Sequence, residues 1–336
     1  MTDTFPKEIT VRAPTMGDME NVAELLDICS IAEHGEPDFA LEDLRVDWGN
    51  PEFNLETDAW VVVTPGERIV GYAVMFNREN ARLHVIAHVH PEYCGRGIGT
   101  YLARKGEARA RQQVSEAPPG VRVSLFNSIS NGNDAARALL EGEGYSVTRH
   151  FWHMQIDMDE APAATEWPDG ITVRTFIPGQ DDYATFEAIQ EAFQDHWEHI
   201  PWRFETWRQA MIEREDFDPS LWFLAMDGNE IAGGSLCYNY SNEGWVDKLG
   251  VRRPWRRQGL GLALLRHSFR EFYRREQRRV ALGVDSQNTT GATRLYQRAG
   301  MRIARQYDSY QKKLRPGKDP AAQEAVAAAA TSPLQR

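Results

Sequence analysis

A chain of 336 residues predicts two domains, at roughly 100–200 residues per domain. Hydrophobic residues make up 42% and charged residues 26%, which is enough apolar material for large cores and excludes wholesale disorder. The net charge of −11, from 38 Lys+Arg against 49 Asp+Glu, argues against a general nucleic-acid or anionic-membrane binder.

The first residues, MTDTFPKEIT, have neither the basic end nor the apolar stretch of a secretory signal, and no run of about 18 apolar residues follows. A cytoplasmic protein that does not bind membranes is expected. Ile9-Thr10-Val11-Arg12 then reads as a short strand, and it returns as Ile171-Thr172-Val173-Arg174, 162 residues later. The same offset carries Trp60 to Trp222, Ile69 to Ile231, Gly71 to Gly233, Val89 to Val251, Gly97 to Gly259 and Gly99 to Gly261. A register held over that distance is a duplication. The expected organisation is a first copy over residues 8–158, a linker over 159–170 rich in small residues and prolines, a second copy over 171–314 and a disordered tail over 315–336.

Each copy reads as strand, helices, strands, helix, strand, helix and closing strands. In the second copy, DDYATFEAIQEAF has helical spacing, and the strands Trp222–Met226 and Ile231–Tyr238 flank the turn Asp227-Gly228-Asn229. A strand ending at Val251, the helix GLALLRHSFREFYRREQ, the strand Val280–Val284, the helix ATRLYQRA and a strand from about Tyr307 to Leu314 complete it. The order implies an α/β fold of the α+β kind, with a mixed, curved sheet and helices on its faces.

Between a strand and a helix lie Val251-Arg252-Arg253-Pro254-Trp255-Arg256-Arg257-Gln258-Gly259-Leu260-Gly261, matched by Val89-His90-Pro91-Glu92-Tyr93-Cys94-Gly95-Arg96-Gly97-Ile98-Gly99. Successive N–H groups at a helix start, unobstructed by side chains, form a cradle for a pyrophosphate. The glycine pattern, followed in the second copy by Asn288, Ala292, Leu295, Tyr296 and Gly300 and in the first by Asn133, Ala136, Leu139 and Gly144, resembles the acyl-CoA-binding signature of the GNAT N-acetyltransferases. The resemblance covers residues 8 to 314 in a tandem arrangement. It implies two GNAT-like acyl-CoA N-acyltransferase domains that use acetyl-CoA to acetylate a small-molecule amine, with no metal, as a monomer or homodimer. Leu249, Val251, Arg256, Arg257, Gln258, Gly259, Leu260, Gly261 and Asn288 are then the cofactor-binding candidates of the second copy. Val89, Arg96, Gly97, Ile98 and Gly99 are those of the first.

The copies differ at chemically decisive positions. Tyr296, placed by the resemblance near the CoA sulfur as the acid for the departing thiolate, is Leu140 in the first copy, and Asp247 is Val85. The second copy is therefore expected to be catalytic and the first degenerate. Asp247, Glu243 and Glu198 are candidate bases, with a solvated or paired surface charge as the alternative for each. Asp195, Trp197 and Glu198 fall in an aromatic and acidic stretch suited to a cationic amine, or to a purely structural connection. Tyr296 could instead pack as a half-buried helix tyrosine and Asn288 cap its helix. Arg252, Arg253, Arg256 and Arg257 fit a CoA phosphate better than RNA, given the acidic whole. A non-catalytic acyl-CoA-binding regulator would keep the glycine loop and lose the proton-transfer groups. His84, His88 and His90 alternate along one strand face without a fourth metal ligand. Cys29, Cys94 and Cys237 fit neither disulfides nor zinc and are expected reduced and buried, although the helix start beside Cys94 could make it reactive.

Overall fold

The computed structural model describes residues 8–318 apart from 40, 79, 198–200 and 289. In chain order the elements are β1 (Thr10–Arg12), α1 (Met19–His34), α2 (Leu41–Gly49), α3 (Leu55–Asp58), β2 (Ala59–Val63), β3 (Ile69–Arg78), β4 (Arg82–Val89), α4 (Ile98–Gln113), β5 (Val123–Ser130), α5 (Asp134–Gly142) and β6 (Ser146–Asp157). They continue as β7 (Ile171–Thr175), α6 (Asp182–Phe193), α7 (Phe204–Met211), β8 (Trp222–Asp227), β9 (Glu230–Asn239), β10 (Gly244–Val251), α8 (Leu260–Arg274), β11 (Arg279–Asp285), α9 (Ala292–Arg298) and β12 (Arg302–Arg315).

The chain forms two compact units, and their composition corrects the division expected at 8–158 and 171–314. One unit is Met1–Arg149 with Tyr307–Arg336, and the other is His150–Gln306. In the first, β1 to β5 are neighbours in chain order, and the sheet is completed by β12, which pairs antiparallel with β5 from Tyr307 opposite Ser130 to Arg315 opposite Val123. In the second, the order is β7-β8-β9-β10-β11 and then β6, antiparallel to β11 from Asp157 opposite Arg279 to Phe151 opposite Asp285. Each unit thus takes its closing strand from the other half of the sequence. A strand pattern specifies which residues face the core, not which edge supplies the ladder partner.

The tail also begins later than expected. Arg315 ends β12 with its guanidinium donating to the carbonyls of Val114, Val121, Ala117 and Pro118, and Lys318 exchanges backbone hydrogen bonds with Gly120 and Arg122. The remainder of the expected tail lies outside the described residues.

Both units bury their sheets under helices placed by amphipathic periodicity. In α8, Leu260, Leu264, Leu265, Phe269 and Phe272 all face inward. Gly244 lies under Phe272, whose ring atoms would stand 2.6 Å from any Cβ there. Trp222 is fully buried in β8 among Phe176, Trp207, Phe217 and Tyr238.

The duplication is visible in one repeated lock. Arg12 grips Asp18 with two guanidinium bonds of 2.7 Å, and Arg174 grips Asp181 at 2.5 and 2.8 Å, in each case tying the first strand to the turn before the first helix. The Arg174 bonds hold the Asp181 carboxyl below its ordinary range. Its stabilisation is therefore complete above the unfolded carboxylate value near 4 and is lost as pH falls through the lower folded value. Asp181→Asn is expected to cost about 1.5–3 kcal/mol, the range for hydrogen bonds to charged groups, in urea unfolding at pH 7, and the gap from the parent should narrow in strong acid.

Candidate functional site

The site of the second unit begins where two parallel strands part. β10 and β11 pair only at Gly244 with Val280 and Trp245 with Ala281; beyond Trp245, that edge of β10 has no strand partner among the described residues. On its other edge, β10 pairs with β9 through a bulge, since Val246 lies opposite Cys237 and Lys248 opposite Leu236. Asp247 is the extra residue. A bulge bends its strand and re-aims the local backbone, so the opening and the bulge share one stretch of β10. The backbone of Leu249 and Val251 continues along that opening, where an extended amide-bearing ligand can pair as a strand would.

At the end of β10 the chain makes a single turn of helix, Arg253–Trp255, and reaches the glycine loop. Gly259 caps α8 in the left-handed region at φ 88°, with open space where a Cβ would be. Arg257 has φ 63°, a conformation uncommon for a residue with a side chain, while the first unit has Gly95 there at φ 75°. Among the described residues, the N–H groups from Arg257 to Gly261 have no hydrogen-bond partner, as befits the first turn of a helix. They converge as a cradle for anionic oxygens. Gly261 serves packing instead, since a Cβ would stand 3.0 Å from Leu295 of α9, and Gly99 approaches Leu139 in the same way at 3.2 Å.

The loop's polar side chains are largely committed to holding its shape. Arg256 donates to the carbonyls of Val251 and Ala192, and Gln258 donates to that of Pro254. Arg96 donates to the carbonyl of Glu92, four residues back like Gln258 to Pro254, and covers the Tyr93 ring. Asp195 bridges Arg253 and Arg256 at 2.6 and 2.7 Å, and those bonds hold its carboxyl down at about 2. This corrects its expected place in the acceptor wall: Asp195 anchors the glycine loop, its charge already matched.

Tyr296, on α9, is 8% exposed and sits in the apolar cluster with Leu265, Val284 and Met301. Burial pushes its phenol up to about 12, so it remains protonated and able to donate at neutral pH. Asn288 does not cap α9, whose cap is Gly291; its side chain accepts from the N–H and hydroxyl of Thr290. Asp247 is half-buried and paired with Lys248 at 2.9 Å. Glu243, just before β10, is 4% exposed, and its carboxylate lies 3.5 Å from Nε2 of His153 on β6. Trp197 packs its ring 6.3 Å from Phe151, also on β6. Glu198 lies outside the described residues. The sequence reading missed His153 and Phe151, because β6 looked like part of the other copy.

The first unit repeats the glycine-loop geometry and differs at the positions equivalent to Asp247 and Tyr296. The N–H groups from Gly95 to Gly99 are equally without partners among the described residues, and Gly97 caps α4 at φ 80°. Yet β3 and β4 pair without interruption from Gly71–Val89 to Arg78–Arg82, so Val85 sits in regular strand where Asp247 sits in a bulge. Leu140 is buried in the core. Among the cysteines, Cys29 and Cys237 are buried, but Cys94 is exposed, contrary to expectation. Its thiol is pushed up rather than down, by partial desolvation and then by Glu33, opposite to the direction that activates a thiol. His84 stacks on Phe126, and burial pushes it down to about 3. His90 lies beyond the end of β4. Among the described residues no group of three or more potential ligands could hold a metal ion, and no helix is long and apolar enough to cross a membrane.

A parted, bulged strand leading into a cradle of free N–H groups defines an acyl-CoA-dependent acyltransferase. The family model of the acetyltransferase (GNAT) family matches residues 19–145 and 183–301. The chain belongs to that family, twice over, and acetylates an amine. A mycothiol acetyltransferase of Streptomyces scabiei is 30% identical over 247 residues, covering 71% of this chain and 75% of the relative. The crystal structure of a GCN5-related N-acetyltransferase from Sphaerobacter thermophilus is 40% identical, with a TM-score of 0.80 over 95% of this chain and 99% of that one. A tandem GNAT protein from the clavulanic acid biosynthesis pathway shares the fold at 16% identity and TM-score 0.67, over 93% of this chain and 100% of its own.

Proposed function

We propose that the second unit moves an acetyl group from acetyl-CoA to the primary amine of a small molecule, and that the first unit binds acyl-CoA without catalysing transfer. The asymmetry at equivalent positions carries this reading: a bulged β10 and the protonated phenol of Tyr296 in one unit, an unbroken β4 and Leu140 in the other.

The N–H groups from Arg257 to Gly261 hold the pyrophosphate, with the dipole of α8 favouring the same charge. The backbone past the bulge, around Lys248 to Val251, donates to the thioester carbonyl as negative charge develops on its oxygen. Tyr296 donates its proton to the departing thiolate. A carboxylate of this stretch, the half-buried Asp247 or the buried Glu243, drives deprotonation of the acceptor. The aromatic wall of Trp197 and Phe151 suits an acceptor carrying a cation beside an apolar body.

The mycothiol acetyltransferases among the relatives favour a narrower acceptor, a cysteinyl amine. Native mass spectrometry of the chain with acetyl-CoA should show two cofactors bound. Chromatographic detection of CoA release against a panel of amines, with S-methyl-L-cysteinamide beside simple alkylamines and amino sugars, tests the acceptor. Preference for the cysteinyl compound supports the narrower class, a better alkylamine or amino sugar removes it, and no turnover with any amine removes the catalytic assignment.

A further inference from the structure

The sealed polar groups of the second unit include one pair whose imidazole the reaction as described leaves without a role. His153 is 6% exposed, and its Nε2 is both shut off from water and without a hydrogen-bond partner, while Glu243 is 4% exposed with Oε2 3.5 Å from that nitrogen. A buried imidazole Nε2 facing a buried carboxylate is matched when it carries the neutral ring's own proton towards that carboxylate, which leaves Nδ1 as the ring's acceptor. Nδ1 is not among the sealed, unpartnered atoms.

The surroundings supply a place for a cation. His153 is in register with Gly283 of β11, which is exposed in the middle of its strand. A Cβ at Gly283 would meet Cζ2 and Cη2 of the Trp245 indole at 3.9 Å, and the Trp245 ring lies 5.5 Å from that of His153. A glycine floor between an indole and an imidazole accepts an ammonium by cation–π attraction. Trp245 is also the last β10 residue paired with β11, so this floor adjoins the opening. The other ionisable groups on β6, β10 and β11 are Arg149 and His150 on β6, the latter with Nδ1 3.5 Å from Nε2 of Gln306, Asp247, already matched by Lys248, Asp285 at the end of β11, and Asp157 on β6, held by Arg279 and Arg302.

We propose that His153, backed by Glu243, takes the proton from an acceptor ammonium seated over Gly283 beside Trp245. This rests on the acetyl-transfer reading and names its base. The ammonium gives one proton to Nδ1, directly or through water, and the imidazolium formed is stabilised by Glu243 at Nε2. The nitrogen lone pair then forms the C–N bond at the thioester carbon while the C–S bond breaks. Tyr296 protonates the thiolate, the second proton of the nitrogen restores the phenol, and His153 releases its proton to solvent.

His153→Gln and Glu243→Gln, in the full chain with acetyl-CoA and S-methyl-L-cysteinamide, are expected to lower kcat/KM at pH 7 by about 10²-fold or more. CoA affinity by calorimetry should be unchanged, and the deficit should shrink towards pH 9.5, where the amine loses its proton unaided. The NMR titration of the His153 ring, assigned by its disappearance in His153→Gln, should move to lower pH in Glu243→Gln. This second readout needs no turnover. Full activity in His153→Gln, a deficit equal at every pH, or a His153 titration indifferent to Glu243→Gln would each overturn the proposal. A parent without turnover would remove the acetyl-transfer reading and with it the assignment of a base, even if the NMR coupling were present.

Discussion

Tyr296→Phe is expected to lower turnover by about 10²–10⁴-fold, the usual contribution of a general acid, while leaving acyl-CoA affinity and stability close to those of the parent. The phenol lies in an apolar cluster, so the ring already fills its space and phenylalanine keeps that packing. Only the proton donor disappears, and burial keeps that donor protonated far above neutrality. Leu140→Phe is the matched control: it changes an equivalent position in a unit with an unbroken strand and no phenol, and should leave turnover intact. Steady-state kinetics with the acyl-transfer step confirmed as slow would decide it. A Tyr296→Phe enzyme of parental kcat would make the phenol structural and give its proton transfer to water.

The second large effect belongs to the cradle. Gly259→Glu is expected to weaken acyl-CoA binding at the second unit by about 10²-fold or more. The left-handed backbone and the open space at Gly259 would place a carboxylate where the unpartnered N–H groups converge. Two like charges 4 Å apart at a surface-like effective dielectric of about 20 repel by about 4 kcal/mol, nearly 10³-fold in affinity. Gly259→Ala separates charge from strain, because it keeps only the penalty of a left-handed side chain, about 1–2 kcal/mol. Calorimetry on the two variants, with Gly97→Glu for the other unit, resolves one site from the other. Equal affinities for Gly259→Glu and the parent would end the assignment of this loop.

Much of this was legible in the residues. The duplication, the two glycine loops and the asymmetry of Tyr296 against Leu140 rest on spacing along the chain, and local structure obeys local spacing. Gly97 and Gly259 take the left-handed conformation that a glycine at a helix cap permits, and Gly99 and Gly261 are small because α5 and α9 approach them.

What escaped depends on partners distant in sequence. Asp195 reads as an acid in an aromatic stretch, and only folding brings Arg253 and Arg256, about sixty residues later, onto it. The bulge at Asp247 is invisible in β10 alone, because it exists only relative to the register of β9. Most of all, the alternation in β6 and β12 identified two strands and left their ladders open. Hydrogen bonds between strands are satisfied by any compatible edge, so the tertiary structure decided that β6 closes the second unit beside β11 and β12 the first beside β5. That choice delivers His153 to Glu243. Sequence alone determined the family, the repeat and the cradle, because these reside in backbone geometry that short motifs encode; the fold decided which side chains share a site, because that depends on strand pairing across the length of the chain.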